Sequence, residues 1–303
     1  METNVKLQVV IIGCGDMGKA HVGGWKESKR ADLIAAVDID QKRLDNFLKQ
    51  HEIPAGETDY KKAIDIYKPD VVSVCLPAFM HREVAEYAAN AGCHVFCEKP
   101  IALNTEDGQA MIDCCHKNNV KLGIDFQRRF WSNFKFYKEM LDNGSLARPV
   151  IWKQTDVRPI RPKILMHSES GNGGPIIDCS VHWFDMWRKL FKSEVKSVYA
   201  RGFRFAQGKP SIEQITDIAI DTGSIIVEFA SGDVGEMCMC WALPPHSPSY
   251  TEQVILAGNG ITQQKDGFIR LDSGNRGIEE KMVTSWTPII TAFAEAVIND
   301  EPS

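Results

Sequence analysis

The feature that most constrains this chain is a run of glycines near its start. Gly13-Cys14-Gly15-Asp16-Met17-Gly18 follows the apolar stretch Leu7–Ile12 and opens a segment with helical spacing. Glycine at 13 permits a tight turn, glycine at 15 lets a ligand approach the backbone, and glycine at 18 lets the helix lie close on the strand. A helix starting there presents unpaired N–H groups and the positive end of its dipole, which together suit a diphosphate. Alone, G-x-G-x-x-G is a weak signal. Its context strengthens it, because Asp38 ends the next predicted strand about 20 residues beyond the last glycine, where an acid for ribose hydroxyls belongs. Such a carboxylate accepts from both ribose hydroxyls and repels a 2'-phosphate, which predicts NAD as cofactor in preference to NADP. The alternative for Asp38 is a cap on a helix beginning near Gln41.

The first third of the chain alternates apolar strand patterns with helix patterns, the grammar of a doubly wound parallel α/β sheet. Strands are predicted at Leu7–Ile12, Leu33–Val37, Val71–Leu76, His94–Cys97 and Lys121–Ile124, with helices at Arg82–Asn90 and Thr105–Lys117. Asn104 stands where a cap paired with Asp107 begins the second of these helices. After Asp125 come one helix-like stretch, Trp131–Leu141, and several β-rich runs: Ile218–Ile220, Ser224–Phe229, Val234–Trp241 and Gln253–Leu256. Ala230–Asp233 reads as a hairpin turn and Gly171–Pro175 as a turn entering a helix. Two domains are expected, residues 1–124 and residues 125–303, the second an α+β domain with a mainly antiparallel sheet.

Composition narrows the function classes. At 303 residues, 44% hydrophobic and 25% charged, the chain is in the ordinary globular range, and no apolar run approaches the ~20 residues of a membrane helix. No membrane partner is expected. Met1-Glu-Thr-Asn-Val-Lys6 shows no leader pattern, and a cytoplasmic location is the default expectation. A net charge of -5 without a Lys/Arg block argues against direct nucleic-acid binding. The nine cysteines lack metal-ligand spacing, so reduced thiols and no metal site are expected.

Two further groups carry chemistry. Glu98-Lys99-Pro100 directly follows the His94–Cys97 strand, at the carboxyl edge where open α/β sheets hold ligands. Asp178 and His182 fall on one face if their segment is helical, although a cap and a core histidine would give the same spacing.

As a set, the motifs resemble the Gfo/Idh/MocA family, named for glucose-fructose oxidoreductase, inositol dehydrogenase and a rhizopine-catabolism protein. The residues that carry the resemblance are Gly13–Gly18, Asp38, Leu76-Pro77-Ala78-Phe79-Met80-His81, Glu98-Lys99-Pro100, Gln127-Arg128-Arg129-Phe130 and Gly173–His182. The resemblance implies a Rossmann domain, an open-faced antiparallel sheet, nicotinamide and substrate meeting between the domains, and a homo-oligomer, tetramer or dimer. It also implies an NAD-dependent oxidoreductase acting on a secondary hydroxyl of a sugar, sugar derivative or inositol. Lys99, Asp178 and His182 would be catalytic: His182 as general base, Lys99 stabilising the reacting oxygen, Asp178 aligning them or binding substrate. Cofactor contacts would come from Gly13, Gly15, Asp16, Met17, Gly18, Asp38, Leu76, Pro77, His81, Glu98, Lys99 and Gln127. Arg158, His167 and Trp241 are candidates for substrate specificity. The family pattern continues past the helix predicted at Thr287–Ile298, so this C-terminus is short for it. Two alternatives share these motifs: a glycosidase using bound NAD transiently, and a non-catalytic sugar- or NAD-sensing regulator.

Overall fold

The computed structural model describes residues 5–301 apart from 266–267 and 273–276. Two compact units divide them, Met1–Gln127 together with Ser285–Ser303, and Arg128–Thr284.

The first unit is built on a six-stranded parallel sheet of order β3-β2-β1-β4-β5-β6. Its strands are β1 (Leu7–Ile12), β2 (Ala31–Val37), β3 (Gly56–Glu57), β4 (Val71–Val74), β5 (His94–Cys97) and β6 (Leu122–Ile124). The connecting helices are α1 (Asp16–Ser28), α2 (Gln41–His51), α3 (Tyr60–Tyr67), α4 (His81–Asn90) and α5 (Thr105–Lys117). This strand order reverses direction at β1/β4, the crevice where dinucleotides bind in such sheets. The central strands are apolar on both faces because helices cover both, and Val9, Val10, Ile11, Val71, Val72 and Val95 are fully buried. Asn104 caps α5 as expected, accepting from the Asp107 N–H at 2.7 Å, and Asp59 caps α3, accepting from the Lys61 N–H at 2.8 Å.

The second unit carries an eight-stranded sheet of order β14-β13-β12-β11-β7-β10-β9-β8, antiparallel except at the β7/β10 pair. Its elements are α6 (Ser132–Asp142), β7 (Ile151–Pro159), α7 (Glu169–Asn172), α8 (Gly174–Phe191), β8 (Val195–Phe203), β9 (Thr222–Phe229), β10 (Val234–Leu243), β11 (Tyr250–Ala257), β12 (Gly260–Lys265), β13 (Phe268–Asp272) and β14 (Gly277–Lys281). One face packs under α6 and α8, with Trp152, Trp187, Met237, Met239 and Ile255 at its centre. Strict alternation along β9 leaves Ile226 outward while Ile225 and Val227 point to the helices.

Two sequence expectations are corrected. Ile218–Ile220 is not a strand: it makes one isolated bridge, Ile218 to Ser168, and the ladder starts at Thr222. The last helix, α9 (Thr287–Ile298), belongs to the first unit and not to the second. There Ile290 lies against Gly24 of α1, Phe293 rests 5.2 Å from the Phe96 ring, and Glu295 takes a 3.2 Å bond from Arg30.

Candidate active site

In the first unit the glycine turn is tightly determined. Gly13 has φ +101°, and a Cβ there would sit 2.5 Å from the Cys75 carbonyl oxygen. A Cβ on Gly18 would meet the Gly13 carbonyl oxygen at 2.1 Å, so turn and helix touch backbone to backbone. At Gly15, by contrast, a Cβ would meet nothing within 4 Å. Gly15 is the N-cap of α1, and Asp16 beside it is exposed. The turn therefore leaves open space where N–H groups of a helix start point outward, which fits the diphosphate of a dinucleotide. A cavity of about 290 Å³ adjoins it, lined by Cys14, Gly15, Asp16, Lys19 and Arg43 among others.

Asp38 completes this end of the site. Its Oδ2 accepts from the Cys14 N–H at 3.0 Å and its Oδ1 from the Asp40 N–H at 2.9 Å, and Arg43 donates to both oxygens at 3.2 Å. Helix α2 is capped by Asp40, which accepts from the Arg43 N–H, so the capping alternative for Asp38 falls away. The neighbouring Cys14 thiol is pushed up to about 12 by burial and by the Asp38 carboxylate, leaving it a protonated, inert hydrophobe. All nine cysteines are unbridged.

Leu76 and Pro77, beyond the carboxyl end of β4, are half-buried and face the same edge of the sheet. His81 is fully buried, its Nδ1 2.9 Å from the Pro100 carbonyl oxygen and its Nε2 2.9 Å from that of Leu76. Burial pushes this imidazole below its ordinary range. With no exposed surface, His81 ties the loop after β4 to the loop after β5. The Glu98 carboxylate likewise turns inward: Oε1 meets His21 Nε2 at 3.1 Å and Oε2 takes the Lys99 backbone N–H at 3.2 Å. Lys99 itself is half-buried at the sheet edge. Gln127 is 5% exposed, and its Oε1 has no hydrogen-bond partner among the described residues, an orphan acceptor suited to a ligand amide.

In the second unit, Gly173 and Gly174 take positive φ and Pro175 enters the first turn of α8, which carries Asp178 and His182 on one face as the spacing predicts. Both are buried, at 4% and 5% exposure. Asp178 Oδ1 accepts from Asn172 Nδ2 at 3.1 Å. The start of α7 is anchored by Asp217, which takes bonds from Ser170 N–H at 2.8 Å and from the hydroxyls of Ser168 and Ser170. Trp241 is buried beneath the guanidinium groups of Arg158 and Arg161, 5.6 and 5.3 Å from its ring. His167 Nε2 accepts the Arg161 N–H at 3.1 Å, so this histidine holds the loop bearing that arginine. A cleft of about 410 Å³ opens beside them, with Arg128, Gln154, Asp156, Arg158, Trp183 and Gln253 in its wall. Gln154 Oε1 and both amide atoms of Gln253 are buried without partners among the described residues. The glutamines had escaped sequence reasoning, since glutamine in a strand carries no signal until its burial is known.

The chain matches the models for two domains, the "Oxidoreductase family, NAD-binding Rossmann fold" over residues 7–126 and the GFO/IDH/MocA C-terminal domain over residues 134–259. It is 32% identical to a myo-inositol 2-dehydrogenase of Thermotoga maritima over 76% of this chain and 67% of that protein. It is 30% identical to a D-glucoside 3-dehydrogenase of Escherichia coli over 77% of this chain and 69% of that protein. Relatives at 30% identity or more are spanned over 63% to 69% of their length. Among solved structures, a probable dehydrogenase from Thermotoga maritima superposes with TM-score 0.77 at 26% identity, covering 98% of this chain and 90% of that one. Matched in both its units and in the order of its motifs, the chain belongs to the Gfo/Idh/MocA oxidoreductase family.

Proposed function

We propose that the chain is an NAD-dependent oxidoreductase that transfers a hydride between the nicotinamide and a secondary hydroxyl or ketone of a sugar, sugar derivative or inositol. The observation that carries this reading is the open cradle at Gly15, set at the switch point of a 3-2-1-4-5-6 sheet with Asp38 at the end of β2. The dehydrogenases of an inositol and a glucoside among its relatives support the substrate class. Cleft-lining amides and tryptophans suit a polyhydroxylated ligand, because amides both donate and accept.

When bound, NAD supplies the hydride acceptor. Backbone N–H groups at the start of α1, around Asp16 and Met17, hold its diphosphate, and Asp38 accepts from its ribose hydroxyls, which favours NAD over NADP. The Lys99 ammonium holds the reacting oxygen and stabilises its developing negative charge. His182 takes the hydroxyl proton, and Asp178 on the preceding turn orients the substrate or the base. Glu98 serves by holding the Lys99 backbone.

We further infer a homo-oligomer, a tetramer or dimer. Tyr199, Ile226, Tyr250 and Ile261, 71%, 40%, 52% and 41% exposed, project from strands of the sheet in the second unit. Apolar side chains spread over neighbouring strands favour burial against another copy. Unbridged cysteines are in keeping with a reducing, cytoplasmic setting.

A spectrophotometric screen for NADH formation over inositols, aldoses, aminosugars and glycosides tests the reading. A substrate-dependent rise in NADH supports it. Release of an aglycone without net NADH would replace it with the glycosidase, and binding of NAD without turnover of any probe would favour the regulator.

A further inference from the structure

One polar cluster in the first unit is buried beneath the carboxyl edge of its sheet. His21, on the inner face of α1, is fully buried, as are Ser73 in β4 and Asp125 just after β6, and Glu98 is 3% exposed. Their surroundings are the aromatic and aliphatic core, with the Phe96 ring 5.3 Å from the imidazole. Trp25 Nε1 donates to Ser73 Oγ at 3.0 Å, and the same oxygen lies 2.9 Å from His21 Nδ1. On the other side, His21 Nε2 lies 3.1 Å from Glu98 Oε1 and 3.3 Å from Asp125 Oδ2. One ring thus joins a helix to three strand ends.

As a mere staple this is a costly choice. Buried ionic groups are often no better for stability than apolar residues of the same volume, so stability alone does not account for two carboxylates and an imidazole here. What apolar residues could not do is orient the Glu98 carboxylate. Its Oε1 is held by His21, and its Oε2 takes the Lys99 backbone N–H at 3.2 Å.

We propose that His21, braced by Ser73 and Asp125, is a positioning residue for Lys99: it fixes the Glu98 carboxylate, which in turn fixes the backbone from which the lysine projects. The proposal rests on the reading of Lys99 as the residue that holds the reacting oxygen. Burial alone would push the imidazole down, but the Cys75 sulfur and the carboxylates of Asp125 and Glu98 outweigh it and hold His21 well above its ordinary range. Protonated, the ring donates from both nitrogens, to Ser73 on one side and to Glu98 on the other, with the Asp125 carboxylate alongside. Burial and the nearby Glu98 charge, against the pull of His21, leave Asp125 at about 6. Burial pushes the Glu98 carboxyl up, but the hydrogen bond and charge of His21, helped by the Lys99 charge, outweigh it and hold Glu98 below the usual carboxylate range.

Two measurements on the full chain test this. The first needs no substrate: amide hydrogen exchange at Lys99 in wild type, His21→Leu and His21→Gln. Loss of the held carboxylate should speed exchange of the Lys99 N–H about tenfold in His21→Leu while the β5 amides stay protected, and glutamine, which keeps an N–H donor, should restore part of the protection. The second is kinetic: His21→Leu should lower kcat about 10–100-fold with the KM for NAD within about threefold, and should cost nothing further in a Lys99→Ala background. Unchanged exchange at Lys99 would overturn the proposal, as would losses that multiply in the double variant. Should His21→Leu not fold, Asp125→Asn, nearly identical in shape, carries the exchange measurement with the same two outcomes. If no sugar or polyol is turned over at all, the reading of function fails while the exchange result still decides whether His21 positions Lys99.

Discussion

Replacing Gly15 and Gly18 separately by alanine should divide the two duties of the glycine turn. Gly15 has φ -79° and ψ -162°, a backbone that any residue adopts, and its Cβ would meet nothing within 4 Å. Gly15→Ala should therefore leave the folded protein intact or stabilise it by about 0.4–1 kcal/mol through the unfolded chain. The added methyl would occupy the space assigned to the diphosphate. Losing one hydrogen bond to a charged oxygen there costs about 1.5–3 kcal/mol, roughly 10–150-fold in Kd. At Gly18 the new Cβ would lie 2.1 Å from the Gly13 carbonyl oxygen, backbone against backbone, with no flexible side chain to yield. Turn and helix must separate by about 1 Å, with an overpacking cost of about 1–3 kcal/mol, so Gly18→Ala should lose stability and affinity together. NADH fluorescence titration beside urea unfolding of both variants reads the two quantities independently. Wild-type NADH affinity in Gly15→Ala would refute the assignment of that space to the diphosphate, whatever the unfolding curves show.

Asp38→Ala should narrow the preference for NAD over NADP about tenfold or more by removing repulsion of a 2'-phosphate, and Arg43→Ala, which unmasks the carboxylate, should widen it; paired titrations with both cofactors measure each change. Lys99→Ala and His182→Ala should each lower kcat by about 10²–10⁴ while NADH binding stays within about threefold, measured as steady-state turnover beside calorimetric titration. Hydrogen bonds from Ser170 and Ser168 hold the Asp217 carboxyl at about 2, below the ordinary aspartate range, so its stabilising effect is present above about pH 4 and lost as the pH falls toward 2. Asp217→Asn should accordingly be less stable than wild type at neutral pH, with the gap in urea midpoint closing between about pH 4 and 2. Sedimentation of the full chain at micromolar concentration should give a dimer or tetramer, and Tyr199→Asp with Ile226→Asp should shift it toward monomer.

The parts of the site legible in the sequence are those that backbone geometry forces. Only glycine tolerates φ +101° at Gly13 or the contact at Gly18, and the Leu33–Val37 stretch leading to Asp38 is a continuous apolar run. Helix α5 was readable to its ends because Asn104 caps it. Strand β8 was not: Val195–Phe203 is exposed along its whole length, so no alternation of apolar residues marks it. Nor was β7, which pairs in parallel with β10 across a long stretch of chain. The His21 cluster was hidden for a different reason. Its members stand at 21, 73, 98 and 125, and each alone reads as an ordinary polar residue. The available signal was a conflict: a histidine on the buried stripe of α1 and a serine inside the otherwise apolar Val71–Val74 strand, both where the pattern asks for an aliphatic side chain.

The placement of α9 has a consequence for how the protein is made. The nucleotide-binding sheet is complete in sequence by Ile124, yet the outer face of α1 at Gly24 is covered by Ile290, and Phe96 of β5 by Phe293. Those partners leave the ribosome only after the whole of Arg128–Thr284 has been synthesised. At elongation rates of about 5–20 residues per second the early unit waits roughly 10 to 30 seconds with an apolar flank uncovered. A nascent chain halted before Ser285 would accordingly present that flank to chaperones, and the second unit has time to fold as an insertion before the first can close around its final helix.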